Sequence, residues 1–288
     1  MKSRALVSTI IPTHNSEETL VKCLSSIKNQ RYFPIEILVV DNFSDDATQE
    51  IAKRFGARVI VQKSNPGSAR NIGALNSTGI FVLFLDSDQS IHPLVIGDCV
   101  DLCIDKGAGM VDIPEIFIGN GFWSTCSAVW KNSFLSVERK YGRDFHGVPP
   151  GIPRFFVKRY LEQSGMFNTT LLWGEDYEVY ERLRRQNVHK AMCKYEIRHY
   201  EPRSFKGLAV KSAGYGESMP IFVGQTRKQI LPLLARHALS TFAEVAKNSS
   251  SLAIIGGCAL LLLVKAQATM MGLMAGLLFG ISLKTRSI

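Results

Sequence analysis

The sequence predicts an α/β protein built on a mainly parallel, twisted sheet, and three observations support this prediction. Strand-like and helix-like segments alternate over the first hundred residues, as they do where helical crossovers connect parallel strands. The strand-like segments are continuously apolar, which is typical of strands that are buried on both faces. The chain has 288 residues, of which 46% are hydrophobic and 20% are charged. That is enough for one large α/β domain with an appendage, and too apolar for a disordered chain.

The first four strands and the helices between them follow from the hydrophobic pattern. We expect strands at 5–11, 35–40, 57–62 and 80–85, and helices at 16–29, 45–55 and 68–76. Leu20, Cys23, Leu24 and Ile27 fall on one face of the first helix. Gly56 follows the second helix, at the position where glycine commonly ends a helix.

After residue 88 the alternation is less regular. We expect a helix at 93–105, a strand at 109–113 and a helix from Trp173 or Glu175 to Gln186. Residues 114–153 are rich in glycine, proline and aromatic residues. We therefore expect this segment to form long loops around an active site.

The chain is basic, with a net charge of +9. Such a charge fits nucleic acid, an anionic membrane surface or a phosphate-rich substrate. The Lys and Arg residues form no long run and are denser in the second half of the chain. No homeodomain, zinc-finger, RNA-recognition or helix-turn-helix signature occurs. We therefore expect no nucleic-acid partner and favour a basic side that faces a membrane.

The most informative segment is 81–89, where the apolar run Phe-Val-Leu-Phe-Leu ends in Asp86-Ser87-Asp88. Ligands of open α/β sheets bind at the carboxyl ends of the strands, where these carboxylates are expected. Carboxylate oxygens suit Mg²⁺ or Mn²⁺, and such ions bind phosphates. For an isolated Asp-x-Asp, the simpler interpretation is a loop in which Asp86 caps the next helix and Asp88 is solvated. The polar residues at the other strand ends favour the metal site.

Polar residues also follow the first three predicted strands. Pro-Thr-His-Asn follows the first strand, Asp41 ends the second, and Gly67 and Arg70 lie in the turn after the third. Asp41 is placed to accept from a base or a ribose hydroxyl, glycine permits close backbone approach, and arginine pairs with phosphate. The simpler interpretation of Pro-Thr-His-Asn after the first strand is a turn that caps the following helix. Neither G-x-G-x-x-G nor G-x-x-x-x-G-K-[ST] occurs, which argues against dinucleotide-dependent oxidoreductases and P-loop NTPases.

Four motifs in a fixed order resemble those of the family 2 glycosyltransferases. They read Ile-Ile-Pro-Thr-His-Asn, Val-Val-Asp-Asn-x-Ser-x-Asp, Asn-Pro-Gly-x-Ala-Arg-Asn and Asp-Ser-Asp, and the resemblance covers about residues 5–205. It implies a GT-A fold over residues 1–220, with a nucleotide-binding half (1–110) and an acceptor half (111–220). It also implies a nucleotide-sugar donor, such as GDP-mannose or a UDP-sugar, a divalent Mn²⁺ or Mg²⁺, and inversion at the anomeric carbon.

The same resemblance implies a role for individual residues. The base and ribose would be bound by Pro12, Thr13, Asn15, Glu17 and Asp41, and the nucleotide or its phosphates by Gly67 and Arg70. Asp86 would face the ribose or the metal, and Asp88 would bind the metal directly. His199 would be a further contact to the metal or the diphosphate.

Another motif, Trp173-Gly174-Glu175-Asp176, begins the helix expected near residue 175. In the family that the chain resembles, a Glu-Asp pair at a helix start supplies the general base. This implies that role for Asp176, with Glu175 as the second candidate. A general base takes the proton from an acceptor hydroxyl as its oxygen attacks the sugar carbon. The alternative is that both carboxylates only complement the helix dipole.

Residues 221–288 are expected to form membrane-associated helices. Residues 229–247 have apolar side chains at helical spacing and charged ones mostly off that face, which predicts an amphipathic helix. Residues 252–283 are apolar apart from Lys265, Gln267 and small hydroxyl residues. A tilted span, a hairpin, and an interfacial or oligomeric helix all remain open, and Lys265 is costly in lipid unless it is paired or reaches the interface.

The chain start lacks the features of a signal peptide, so we expect a membrane-associated protein whose catalytic domain faces the cytoplasm. A transferase held at a membrane is expected to use a lipid-linked acceptor, such as a polyprenyl phosphate or its glycan. A homo-oligomer formed through the C-terminal helices is a further option.

Two other classes of protein fit part of the pattern. A nucleotidyltransferase also uses carboxylates and a metal on an α/β sheet, but it usually has a Gly-rich signature with Lys or Arg directly after the first strand, which is absent here. A non-catalytic membrane scaffold has no need for Asp86, Asp88 and Asp176 together. The enzyme is therefore the favoured interpretation.

Overall fold

A computed structural model of the protein describes residues 5–146, 152–171, 174–202, 204–209, 230–249 and 251–279. Contacts between residues divide the chain into two compact units. The first unit consists of the described residues within Met1–Glu115, Gly151–Thr170 and Gly174–His199. The second consists of the described residues within Ile116–Pro150, Leu171–Trp173 and Tyr200–Ile288. The predicted division at residues 110 and 220 concerned nucleotide and acceptor binding, so it stays a prediction.

Strands and helices alternate as predicted over the first hundred residues. The strands are β1 (Val7–Thr13), β2 (Ile35–Asp41), β3 (Arg58–Val61), β4 (Phe81–Phe84), β5 (Gln89–Ile91), β6 (Met110–Asp112), β7 (Glu115–Ile118), β8 (Pro153–Val157), β9 (Lys190–Met192) and β10 (Ile197–Tyr200). The helices are α1 (Glu17–Lys28), α2 (Thr48–Arg54), α3 (Pro66–Asn76), α4 (Val95–Asp105), α5 (Phe122–His146), α6 (Lys158–Gln163), α7 (Glu175–Arg185), α8 (Ile230–Asn248) and α9 (Leu252–Phe279).

The main sheet has seven strands in the order β3-β2-β1-β4-β8-β6-β9. β1 pairs in parallel with β2 and β4, and β2 pairs in parallel with β3. β8 lies antiparallel between β4 and β6, while β9 is parallel to β6. The mainly parallel sheet is therefore confirmed. The insertion of β8 beside β4 was not predicted, because the pairing of distant segments leaves no local pattern in the sequence.

The central strands β1, β2 and β4 are buried on both faces. The neighbouring residues Ile10 and Ile11 are fully buried in two separate apolar clusters, as the alternating direction of strand side chains requires. Ile11 belongs to the cluster that includes Leu20 and Leu24 of α1, and Ile10 belongs to the cluster that includes Tyr180 of α7. Full burial of one such aliphatic side chain contributes about 1.5–3 kcal/mol. Burial on both faces explains why the strand sequences are continuously apolar.

Helix α3 packs very closely against the sheet. A Cβ atom at Gly73 would overlap the side chain of Ile10, so glycine is needed at this position. The helix begins with a capping box, in which Asn65 accepts from Ser68 N–H and Ser68 Oγ accepts from Asn65 N–H, both at 2.8 Å. The helix therefore starts at Pro66, two residues before the predicted start. These features fix the position of Arg70 on its first turns.

The expectation of long loops at 114–153 is wrong for most of that segment. Residues 122–146 form helix α5, with Cys126 and Val137 among its buried apolar residues. Trp123, Cys126 and Trp130 are spaced by three and four residues, which is the helical pattern that the glycine and proline content concealed.

The second unit brings α5 together with α8 and α9. Its apolar cluster contains Cys126, Val245, Cys258 and Leu261. Helix α9 is continuous through Lys265, so a hairpin that turns there is not formed. None of the helices in the described part of the chain combines the length and the apolar composition that crossing a membrane requires.

Candidate active site

The turns after β1 and β2 are held together by Asp41. This residue is fully buried, and its register partner in the sheet is Thr13. Its carboxylate accepts from Thr13 Oγ1 at 2.9 Å, from Ser44 N–H at 2.9 Å and Oγ at 2.5 Å, and from Gln49 Nε2 at 2.9 Å. These four bonds hold the backbone of the second turn against the end of the first strand.

Asn15 and Glu17 make further hydrogen bonds to the turn after β2. Asn15 N–H donates to Ser44 Oγ at 2.9 Å, and Asn15 Oδ1 accepts from Asp45 N–H at 3.0 Å. Glu17 accepts from Ala47 N–H at 3.0 Å. The residues predicted to bind base and ribose thus lie together at the carboxyl ends of β1 and β2. They are Pro12, Thr13, Asn15, Glu17 and Asp41. Their role in nucleotide binding stays a prediction.

Arg70 forms ion pairs with two carboxylates that are distant in the sequence. Its Nη1 donates to Glu175 at the start of α7, and its Nη2 donates to Asp86 Oδ1 at 2.9 Å. The guanidinium group is almost completely buried. Gly67 lies beside this pair, since a Cβ atom there would be 3.5 Å from Glu175 Cγ. Asp86 and the Glu175 motif are thus joined through one arginine.

Arg154 on β8 joins Asp86 to Glu115, and neither Arg154 nor Glu115 was predicted as a site residue. Nη1 of Arg154 is 3.3 Å from Asp86 Oδ2, and Nη2 is 2.9 Å from Glu115 Oε1. Nε donates to the same glutamate oxygen at 3.1 Å. Arg154 follows the segment that was interpreted as loops, and Glu115 belongs to no motif, so the sequence contains no signal for either.

His199 on β10 lies between Glu115 and Asp88. Its Nδ1 is 3.3 Å from Glu115 Oε2, and its Nε2 is 3.3 Å from Asp88 Oδ2. Strands β10 and β5 pair in a register that puts His199 opposite Gln89, whose Nε2 is 3.2 Å from His199 Nδ1. The late histidine is therefore next to Asp88, as the predicted metal role requires.

The contacts form one continuous series, which we call the charge chain. In order, it contains Glu175, Arg70, Asp86, Arg154, Glu115, His199 and Asp88. Burial would raise the pKa of Glu115, but Arg154 and the hydrogen bond from His199 lower it to about 2. Burial would lower the pKa of His199, but Asp88 and Glu115 raise it to about 9. This environment therefore stabilises positive charge between Asp88 and Glu115.

Glu175 and Asp176 differ in their surroundings. Glu175 is buried, and its pKa is raised because burial opposes its charge, with Arg70 acting in the other direction. Asp176 is half-buried, and its Oδ1 accepts from Tyr177 N–H at 2.8 Å. Glu175 is thus engaged with a guanidinium inside the protein, while Asp176 is the more accessible carboxylate.

The residues around Asp88 suit a divalent cation, although the described residues contain no group of three or more His, Cys, Asp and Glu placed to hold one. Carboxylate and imidazole are donors that Mn²⁺ accepts. With Asp176, the charge chain has five carboxylates against two guanidinium groups. Mg²⁺ and similar ions often use few protein ligands and complete their shell with water and substrate phosphates. Asp88 and His199 therefore fit an ion whose remaining ligands come from a diphosphate.

A family model and several curated proteins match this chain. The family model "Glycosyl transferase family 2" matches residues 8–164. Glycosyltransferase AglE of Haloferax volcanii is 32% identical over 180 residues, which cover 59% of this chain and 58% of that protein. Glycosyltransferase GlyA of Streptococcus pneumoniae is 43% identical over 92 residues, which cover 30% of this chain and 13% of that protein. The chain thus spans less than two thirds of the length of these curated relatives.

Solved structures share the fold at lower identity. Mannosyltransferase PcManGT of Pyrobaculum calidifontis, in complex with GDP-Man and Mn²⁺, has a TM-score of 0.60 at 17% identity, over 96% of this chain and 88% of that chain. TarS of S. aureus, in complex with UDP-GlcNAc, has a TM-score of 0.53 at 18% identity, over 91% and 81% of the two chains. The predicted GT-A fold is confirmed by these structures.

Proposed function

Because this chain belongs to glycosyl transferase family 2, we propose that it transfers a sugar, with inversion, from a nucleotide-diphosphate donor to an acceptor hydroxyl or phosphate. The observation that carries the proposal is the charge chain. It connects the carboxylates of the Asp-Ser-Asp motif to Glu175 through Arg70, although these residues are far apart in the sequence. Such a chain supplies cationic and anionic groups together, as the transfer of a sugar from a diphosphate requires.

GDP-mannose and UDP-sugars are the proposed donors. PcManGT and TarS were solved with GDP-Man and UDP-GlcNAc respectively, so both kinds of donor are proposed. A ribose hydroxyl reaches Asp41 only by replacing one of its present donors. Thr13, Ser44 and Gln49 donate from side chains, so they are the donors that can rotate away, whereas the N–H of Ser44 is part of the backbone.

Asp176 is the proposed general base. A carboxylate takes a proton effectively when it is accessible to the substrate and is not engaged with a guanidinium group. Glu175 accepts from Arg70 and is buried, so its proposed role is to hold that arginine. Asp176 is adjacent and more exposed, which suits the removal of a proton from an acceptor hydroxyl as the oxygen attacks the sugar.

Arg70, Asp88 and His199 are the proposed contacts to the leaving diphosphate and its cation. Arginine binds phosphate through two parallel hydrogen bonds, and Arg70 would exchange a carboxylate partner for phosphate oxygens. Asp88 and His199, with Asp86 beside them, would hold Mn²⁺ or Mg²⁺. The ion supplies positive charge that stabilises the diphosphate as it leaves.

Donor turnover with and without metal tests this proposal. We expect hydrolysis or transfer with GDP-mannose or a UDP-sugar in the presence of Mn²⁺ or Mg²⁺, and loss of turnover with EDTA. Asp88→Asn should remove the metal-dependent rate, whereas Glu196→Gln, which changes a glutamate paired with Arg198 outside the charge chain, should keep it. Turnover that is unaffected by EDTA and by Asp88→Asn would contradict the metal-dependent mechanism.

Membrane association and a lipid-linked acceptor are proposed from the exposed face of α9. Large apolar side chains on this helix are 49% to 84% exposed, namely Leu252, Leu260, Leu263, Met270, Met271 and Met274. At 100° per residue they lie within an arc of roughly 100°. Residues 201–288 contain ten Lys and Arg against three Asp and Glu. An apolar helix face in a basic segment suits the surface of an anionic bilayer, with the helix lying in its plane.

Flotation with liposomes tests this membrane contact. We expect the full chain to float with vesicles that contain anionic lipid, and the double variant Leu263→Glu and Met271→Glu to float much less. Leu75→Glu changes a residue of α3 that is 67% exposed and serves as the matched control. If the double variant floats like the parent, the proposed contact is wrong. If it changes the oligomeric state and leaves flotation unchanged, the face binds a second copy of the chain.

A further inference from the structure

Glu115 is a largely buried carboxylate, with 18% of its side chain exposed, for which the proposed reaction has no direct use. Each of its oxygens faces a different basic group. Oε1 accepts from Arg154 through Nε at 3.1 Å and is 2.9 Å from Nη2. Oε2 is 3.3 Å from Nδ1 of His199. Because the planar guanidinium of Arg154 holds one oxygen of Glu115 in place, the other oxygen can fix the orientation of the His199 ring.

The other nitrogen of the imidazole faces Asp88, at 3.3 Å. We propose that Glu115, held by Arg154, is a positioning residue that keeps a proton on His199 Nδ1 and so presents Nε2 to a divalent cation at Asp88. This inference rests on the metal dependence proposed above. Histidines that bind metals commonly donate their other N–H group to a carboxylate, which orients the ring and sets its tautomer.

Gln89 is the competing hydrogen-bond partner at this position. Its Nε2 is 3.2 Å from His199 Nδ1 and 3.4 Å from Glu115 Oε1. If Gln89 donated to Nδ1, a neutral ring would carry its proton on Nε2, and that nitrogen could not bind a metal. An ionised carboxylate is a stronger hydrogen-bond acceptor than neutral groups. Glu115 therefore accepts a hydrogen bond from Nδ1–H of His199, and Gln89 donates to Glu115.

Arg154 connects this arrangement to the Asp-Ser-Asp motif. Its guanidinium reaches Glu115 with two nitrogens and Asp86 with the third. A lysine in its place carries the same charge but cannot hold both carboxylates in a fixed geometry. The orientation of His199 should therefore depend on the shape of the group at position 154 as well as on its charge.

Metal affinity is the first test. Mn²⁺ is titrated into the full chain with GDP or UDP present, and free Mn²⁺ is followed by electron paramagnetic resonance. We expect Glu115→Gln and Arg154→Lys to weaken Mn²⁺ binding by about 10- to 100-fold, with Glu196→Gln equal to the parent. The affinity for GDP or UDP in EDTA should stay within about twofold of the parent in every variant. Mn²⁺ affinity that is unchanged in Glu115→Gln overturns the inference.

The tautomer of His199 is the second test, and it needs no change to Glu115. In the parent labelled with ¹⁵N-histidine and loaded with Mg²⁺ and nucleotide, we expect the His199 signal to show Nδ1–H. His199→Gln identifies that signal by its loss. An Nε2–H tautomer, or a ring that carries protons on both nitrogens, overturns the inference. A parent that binds neither Mn²⁺ nor Mg²⁺ overturns the metal-dependent function itself, whereas a metal-binding parent with an unaffected Glu115→Gln variant overturns only the role of Glu115.

Discussion

The two units of the protein both contain networks of charged side chains, and the networks differ in balance and in exposure. In the second unit, Glu201 accepts from Lys131 at 2.5 Å and from Ser127 at 2.6 Å, and Lys265 donates to Ser127 at 3.0 Å. The Glu201 side chain is only 1% exposed. In the charge chain of the first unit, carboxylates outnumber guanidinium groups, and the side chains of Asp86 and Asp88 are 30% and 24% exposed.

This difference in balance and exposure indicates different roles for the two networks. The Glu201 network stabilises the packing of helices, and the charge chain is suited to binding a ligand. Buried charges are tolerated where every polar group has a partner, and the Glu201 group meets that condition among α5, α9 and the chain after β10. The same network gives Lys265 the polar partner, Ser127, that a lysine in an apolar helix needs. An excess of partly exposed carboxylates is the environment that a cation would stabilise. We therefore expect substitutions in the first network to affect chemistry, and those in the second to affect folding.

The largest effect is expected for Asp176→Asn, which should lower kcat without changing stability. Asp176→Asn keeps the size of the side chain and removes its ability to accept a proton, so kcat should fall by about 10²- to 10⁴-fold. The melting temperature should change little, because Asp176 is half-buried and its contact with Tyr177 N–H needs only an oxygen. Steady-state kinetics and thermal melting measure the two quantities. A variant that keeps more than about a tenth of the parent kcat is incompatible with Asp176 as the base.

Arg70→Met should affect both chemistry and stability. It leaves Glu175 buried without its guanidinium partner, and breaking a buried ion pair in this way costs about 3–5 kcal/mol. Denaturant unfolding measures that cost. The double variant Arg70→Met and Glu175→Gln should recover part of the stability but none of the donor turnover. Recovery of turnover in the double variant would show that Arg70 only neutralises the buried charge of Glu175 and has no role in catalysis.

Glu201→Gln should affect stability and leave the chemistry intact. The amide keeps one hydrogen-bond acceptor but weakens two charge-assisted contacts, which should lower the free energy of unfolding by about 1–3 kcal/mol. Donor turnover per folded molecule should equal that of the parent. A fall in kcat without a fall in stability would remove the distinction between the two networks.

The smallest effect is expected at an exposed ion pair that belongs to neither network. Arg54 and Glu50 pair at 3.4 Å on the surface of α2, where both side chains are more than two thirds exposed. Such pairs contribute about 0.5 kcal/mol or less. Arg54→Ala should therefore leave both the unfolding curve and kcat near those of the parent, and it sets the baseline for the other three measurements.

The elements around the first four strands could be predicted because their signals are local. Leu20, Cys23, Leu24 and Ile27 are buried on one face of α1, as their spacing predicted. Helix α5 was missed because its glycine- and proline-rich flanks outweighed the spacing of Trp123, Cys126 and Trp130. Asp86, Asp88 and Arg70 were recognised because they occur in short motifs that follow strands.

The sequence by itself determined the first four strands, the helices between them, and which short motifs lie at the carboxyl ends of the parallel strands. Hydrophobic periodicity and turn chemistry act over a few residues, so they are visible in one dimension. Only the tertiary structure decided that Arg154 contacts Asp86 across 68 positions of sequence and that His199 contacts Glu115 across 84. Those pairings depend on which strand enters the sheet beside which, and that choice is made by the packing of the whole core.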